Sequence, residues 1–340
     1  MKLPTVFQTV SVSLVLGLIG LTAASAEENK KVVKAPVLPP PNTDTDFSEL
    51  PEGWMVGFER AKRLALDTKR DLFLSFAATD WIPPSIDLED KVFTRKAFVD
   101  AASEHFVLVR LDFPRKRHVQ SEELQKANMK VNLEYYVSSY PKVILADYQG
   151  RPYAETGWQT GELTPESYLK QVMSLREIRL ARDRAFDAAS KSAGMKKAEN
   201  VAKGLAGIDP KLVLRFYEPE FRQIMAIDPD EGAGLGEVVF YEHKTNLKTK
   251  LNGLAEEKKW EDALAELDTF IEQSAKTAEQ KQEIQFFKLG SLMQLGRHSE
   301  VMIVLDKVIA IAPNSTVGKQ ARGLKPELAK QIRAIKDRER

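Results

Sequence analysis

The 340-residue chain contains no cysteine. Without a thiol it has no disulfide, no thiolate nucleophile, no Cys-ligated metal and no Cys-ligated iron–sulfur cluster, and thiol–disulfide exchange cannot run on its own side chains. An excess of charge is missing as well. Lys and Arg number 50 against 49 Asp and Glu, a formal +1, so nothing global draws the chain to nucleic acid or to an anionic membrane surface. Histidine is scarce: His105, His118, His243 and His298 are all there are, and no two stand at metal-ligand spacing. Gly232-Ala233-Gly234-Leu235-Gly236 lacks both the preceding strand and the Lys-Ser/Thr ending of a phosphate loop. No metal and no cofactor are expected.

What is present begins with a targeting pattern. Lys2 opens a positive segment, the chain is apolar with small polar interruptions from Val10 to Leu21, and Ala24-Ser25-Ala26 offers a small-x-small cleavage site before Glu27. This reads as a secretory signal over residues 1–26, cut after Ala26, with an uncleaved anchor as the alternative. A periplasmic or secreted location follows. Residues 27–51, with Pro36 and Pro39-Pro40-Pro41, read as a Pro-rich tether.

From residue 52 helix and strand signals alternate. Phe58, Ala61, Leu64 and Ala65 recur at helical spacing; DLFLSFA from Asp71 is a short apolar strand; residues 85–102 return to the helical period. FVLVRLD from Phe106 is the clearest strand. Residues 121–136 form a helix candidate and 142–147 a third strand; Gln149-Gly150 turns into an edge strand, and Thr164-Pro165-Glu166 caps a last helix. This order predicts an α/β sandwich on a mixed sheet.

The turn after the first strong strand gives the pattern its identity. Thr79-Asp80-Trp81 leads into Ile82-Pro83-Pro84-Ser85, and Tyr140-Pro141 precedes the KVILAD strand. Over residues 52–178 the chain resembles the secreted thioredoxin-like proteins, in which this turn carries Cys-x-x-Cys. The resemblance places Ile82 and Ser85 at the two sulfur positions and makes Pro141 the family's cis-proline, whose preceding peptide faces the turn and pairs with extended substrate backbone. With a one-residue insertion it also places Ser75 where many members keep a buried acid. The oxidoreductase activity of the family does not transfer, because both sulfurs are absent. Ser85 as a serine nucleophile would need a positioned base, which neither His105 nor His118 offers by sequence context, so a helix-capping Ser85 is the preferred reading. Asp80 reads as a turn residue, and Trp81 either as core or as a partly exposed platform. The basic run Arg115-Lys116-Arg117-His118 reads as solvated surface.

Beyond Leu175 the strand signals fade. Residues 179–231 read as a helical connector, and 232–340 as an all-α domain punctuated by Ala312-Pro313. WEDALAELDTFI from Trp260 and HSEVMIVLDKVI from His298 align 38 residues apart, pairing Leu267 with Leu305 and Asp268 with Asp306. The offset and the helix between the copies resemble tetratricopeptide repeats, with a generic helical bundle as the alternative. The chain is therefore expected to be a thioredoxin-like domain followed by a helical-repeat domain. No residue is assigned a catalytic role. Trp81, Ile82, Pro83, Pro84, Ser85, Tyr140 and Pro141 are the expected walls of a groove for a protein or peptide partner in the cell envelope. Nucleic acid, and a membrane span after signal cleavage, are not expected. The alternative role is a holdase or client presenter serving a thiol–disulfide oxidoreductase system.

Overall fold

A computed structural model describes residues 52–115, 120–159, 161–230 and 232–339. The signal and tether readings, and Lys116, Arg117 and His118 of the basic run, lie outside the described residues. The chain divides into two compact units, whose described parts run from residue 52 to 239 and from 240 onward.

The first unit opens on a two-residue strand, β1 (Trp54–Met55), then α1 (Phe58–Thr68) and β2 (Asp71–Ala77). The chain continues through α2 (Pro83–Leu88), a π-helical turn (Glu89–Phe93), α3 (Lys96–Ser103), β3 (Phe106–Asp112), α4 (Glu122–Glu134), β4 (Lys142–Ala146) and β5 (Pro152–Gly157). The sheet order is β1-β3-β2-β4-β5. β1, β3 and β2 run parallel, while β4 is antiparallel to β2 and β5 antiparallel to β4. This is the expected mixed sheet.

Alternation along the strands sorts the core into two layers. Phe73, Phe106, Leu108, Val143 and Leu145 face Phe93, Phe98 and Tyr168 on one side. On the other, Leu72, Leu74, Phe76, Val109 and Ile144 face Phe58, Ala61, Val131 and Tyr135, which come from α1, α4 and the residue that ends α4. β2 is buried along its whole length because both faces are covered by helices, which is why its sequence is a near-continuous apolar run.

The helix expected over 85–102 is broken. The Thr94 N–H reaches back five residues to the Glu89 carbonyl at 3.1 Å, and α3 starts afresh at Lys96. The wide turn buries Val92 and Phe93 against the sheet.

α5 (Pro165–Ser190) starts on a reciprocal cap, the Ser167 N–H donating to Thr164 Oγ1 at 3.2 Å, and runs unbroken through residue 178. After it come α6 (Gly194–Leu205), α7 (Pro210–Phe216), α8 (Glu218–Met225) and a short 3₁₀ turn at Gly232–Gly234. Arg182 of α5 is buried with Asp147 at the end of β4, Nη2 to Oδ2 2.9 Å. Its Nη1 donates to the Tyr217 hydroxyl at 2.6 Å, which in turn donates to the Pro152 carbonyl at 2.9 Å. These helices are thereby fastened to the sheet.

The second unit is helical throughout its described length. It holds the body of α9 (Gly236–Glu256), then α10 (Trp260–Gln273), α11 (Ala278–Gln294), α12 (His298–Ile311) and α13 (Thr316–Glu339) around one apolar core. The same ion pair occurs twice: Asp268 of α10 with Lys288 of α11, and Asp306 of α12 with Lys325 of α13. Within this unit α9 and α11 lie side by side, with Lys244 Nζ 2.9 Å from Glu283 Oε1 and Lys248 over the Phe287 ring.

Candidate functional site

The turn after β2 is closed by its own backbone. The Ile82 N–H donates to the Ala78 carbonyl at 3.0 Å and the Ser85 N–H to the Ile82 carbonyl at 2.9 Å, so the chain enters α2 with Pro83 and Pro84 in its first turn, where missing donors cost nothing. Ser85 is buried, and its Oγ accepts the Ala78 N–H at 3.2 Å. The hydroxyl thus satisfies a buried backbone donor from within the turn. No imidazole is hydrogen-bonded to it among the described residues, so a base-activated serine has no support.

Asp80 accepts the Arg115 N–H at 3.1 Å and ties the turn to the loop after β3. Asp112 does the same one level deeper: its carboxylate accepts the Thr79 N–H at 3.0 Å and the Thr79 hydroxyl at 2.7 Å. Trp81 belongs to none of the apolar cores. It is half-exposed, its indole N–H donates to the Phe113 carbonyl at 3.0 Å, and the Arg115 guanidinium lies 4.1 Å from its ring centre. Ile82 and Pro84 are also half-buried, and Pro83 is exposed.

On the other side, the Tyr140–Pro141 peptide is cis. The Tyr140 ring stacks on Phe113 at 4.7 Å and 13°, and its hydroxyl donates to Asn132 Oδ1 at 3.0 Å. Partial burial raises the Tyr140 phenol above its ordinary value. Gly157 on β5 leaves room here: a Cβ at this position would stand 2.7 Å from the Pro141 carbonyl oxygen. Phe113 therefore bridges the two halves of the expected site, its carbonyl to Trp81 and its ring to Tyr140. The sequence reading did not single it out, since one aromatic after a strand has no spacing to mark it.

Beside the turn lies a partly buried charge pair. Ser75 of β2 is in register with Arg110 of β3, and Arg110 Nη1 meets Glu89 Oε1 at 3.2 Å while its Nη2 donates to Thr79 Oγ1 at 3.3 Å. Burial pushes the Glu89 carboxyl above its ordinary value, against the pull of Arg110, and Asp112 and Asp90 push the same way. No cluster of three or more metal-ligating side chains occurs among the described residues. No described helix is long and apolar enough to cross a membrane.

A sheet of this order, with a helix opening on a turn and a cis-proline facing it across Phe113, defines a thioredoxin-like domain. A family model described as thioredoxin-like matches residues 53–147. The disulfide bond reductase DsbH of Chlamydia pneumoniae is 28% identical over 110 residues, 32% of this chain and 64% of the relative, so the match takes in less than two thirds of that protein. A solved structure of a DsbH oxidoreductase is 22% identical, with a TM-score of 0.34, over 42% of this chain and 94% of the other. The chain combines a thioredoxin-like domain with a helical C-terminal region and no cysteine.

Proposed function

We propose that this chain is an exported, redox-inactive, thioredoxin-like module that binds a protein or peptide in the cell envelope and acts as a scaffold there. The observation that carries the reading is Ser85. At the position of an inner sulfur it is a buried hydroxyl occupied by the Ala78 N–H at 3.2 Å, while Trp81, Ile82, Pro83, Pro84, Tyr140 and Pro141 all keep exposed surface. Chemistry is missing and a partly apolar surface remains. Extended backbone lying between the turn and Tyr140-Pro141 would be recognised by pairing and by pockets for alternate side chains. The signal over 1–26 supplies the export. Residues 232–340, most of them in the second unit, would form a tetratricopeptide-like array, favoured by the 38-residue offset and the twice-used Asp–Lys pair, with 179–231 as the helical connector.

The test is recovery of envelope proteins by immobilised full chain against Trp81→Ala/Tyr140→Ala. Loss of specific partners in the double variant supports the groove, and unchanged recovery overturns it. In parallel, insulin reduction with dithiothreitol is expected to proceed at the rate of the dithiol alone; acceleration by the protein would contradict redox inactivity. The likeness to a disulfide reductase favours a second reading, a holdase or client presenter for a thiol–disulfide system. It predicts that the chain suppresses aggregation of reduced insulin without changing how fast it forms.

A further inference from the structure

Arg115 gives the rim of this groove a chemical preference. Its guanidinium lies over the Trp81 ring, 4.1 Å from the ring centre, and its backbone N–H is held by Asp80 at 3.1 Å, yet the residue is exposed and makes no ion pair with a carboxylate among the described residues. Two other cations among the described residues are compensated: Lys142 pairs with Glu155 at 2.8 Å and Arg110 with Glu89 at 3.2 Å. A guanidinium held over an aromatic face can still present its N–H edges to a bidentate acceptor. Trp81 is joined to Phe113 through that residue's carbonyl at 3.0 Å, and the Phe113 ring stacks on Tyr140 beside the cis peptide.

Resting on the peptide-binding reading above, we infer that the preferred partner is an acidic polypeptide segment, with an aromatic or proline residue on the Trp81–Phe113–Tyr140 surface and a neighbouring carboxylate on Arg115. A carboxylate fits better than a nucleic-acid phosphate. Among the described residues this surface offers one unpaired guanidinium, and the whole chain carries a formal charge of only +1, whereas affinity for nucleic acid comes from neutralising many phosphates.

The experiment uses the full chain and three fluorescein-labelled nonapeptides sharing a Phe-Pro centre, flanked by Asp/Glu, by Asn/Gln or by Lys. Binding is read by anisotropy at low and at physiological salt. The acidic peptide is expected to bind about tenfold more tightly than the neutral one, with the gap narrowing as salt rises. Arg115→Gln should remove the difference between the acidic and the neutral peptide. Arg115→Lys, which keeps the charge without the plane, should fall between. Equal binding of acidic and neutral peptides, tighter binding of the Lys peptide, or an acidic preference that survives Arg115→Gln would overturn the inference. So would a single-stranded oligonucleotide of matched charge that binds when the acidic peptide does not. If acidic and neutral peptides bind equally and Trp81→Ala/Tyr140→Ala abolishes both, the groove stands and only the charge preference falls. If no peptide binds, both fall.

Discussion

The hydroxyl of Ser85 and the carboxyl of Glu89 sit four residues apart in the chain, and each makes a prediction of opposite kind. Ser85→Ala removes the acceptor of a buried N–H and leaves Ala78 unsatisfied, which costs about 1–3 kcal/mol. Urea denaturation should show a lower midpoint with an unchanged slope. Glu89 is a question of sign. Its folded pKa is raised above the ordinary 4.5 by burial, so the native state holds the proton more tightly than the unfolded chain does. The group's favourable contribution is therefore full below the unfolded value and is lost as pH rises through the folded one. Stability of the wild type relative to Glu89→Gln should fall as pH is raised from about 4 towards 7 at constant ionic strength. A difference that stays flat, or rises, would mean that Arg110 outweighs burial.

At the scale of elements, α13 holds two glycines that should respond oppositely to alanine. Gly318 sits where a Cβ would come within 2.2 Å of the Ala312 carbonyl oxygen, and that oxygen also accepts the Gln282 amide at 2.9 Å. Gly318→Ala should cost about 1–3 kcal/mol through overpacking. Gly323 is exposed with nothing within 4 Å, so Gly323→Ala should stabilise by about 0.5–1 kcal/mol. Thermal unfolding of the pair checks both, and two shifts of the same sign would refute the packing argument. The same contrast between local and tertiary causes separates what could be read in the sequence from what could not. β2 and β3 are legible because burial on both faces writes itself as DLFLSFA and FVLVRLD. β1 has two residues and exists by pairing with Leu108 and Val109, so it leaves no periodic trace. The break at Thr94 has no Pro or Gly to announce it; it comes with the burial of Val92 and Phe93. The turn and Tyr140-Pro141 stood out through resemblance to a known motif, whereas Phe113 and Arg115 joined them only through ring contacts made in the folded chain.

For the whole molecule the open question is how far the first folding unit extends. The family match ends at residue 147, yet the carboxylate of Asp147 is the acceptor for Arg182, 1% exposed on each side chain. A boundary at 178 cuts through α5, and it removes that guanidinium along with Tyr217 and with Phe216, whose ring lies 4.8 Å from Tyr135. Arg151 would remain on Asp147 at 3.1 Å, so the carboxylate would keep one cation and lose the buried one. Breaking a buried pair from one side costs about 3–5 kcal/mol where no counter-charge is left; with Arg151 still on Asp147 the ionic loss is smaller, and the lost packing of Tyr217 and Phe216 adds to it. A fragment of residues 52–239 should therefore unfold in a single cooperative transition, while 52–178 should be less stable by several kcal/mol or fail to stay soluble. Asp147→Asn in the full chain separates the ion pair from the general loss of packing: it should lower the midpoint of the first unit without shortening any helix, as followed by circular dichroism and urea denaturation. If 52–178 proves as stable as 52–239, the helices after α5 are passengers on the sheet, and the Arg182–Asp147 contact contributes nothing that Arg151 does not already supply.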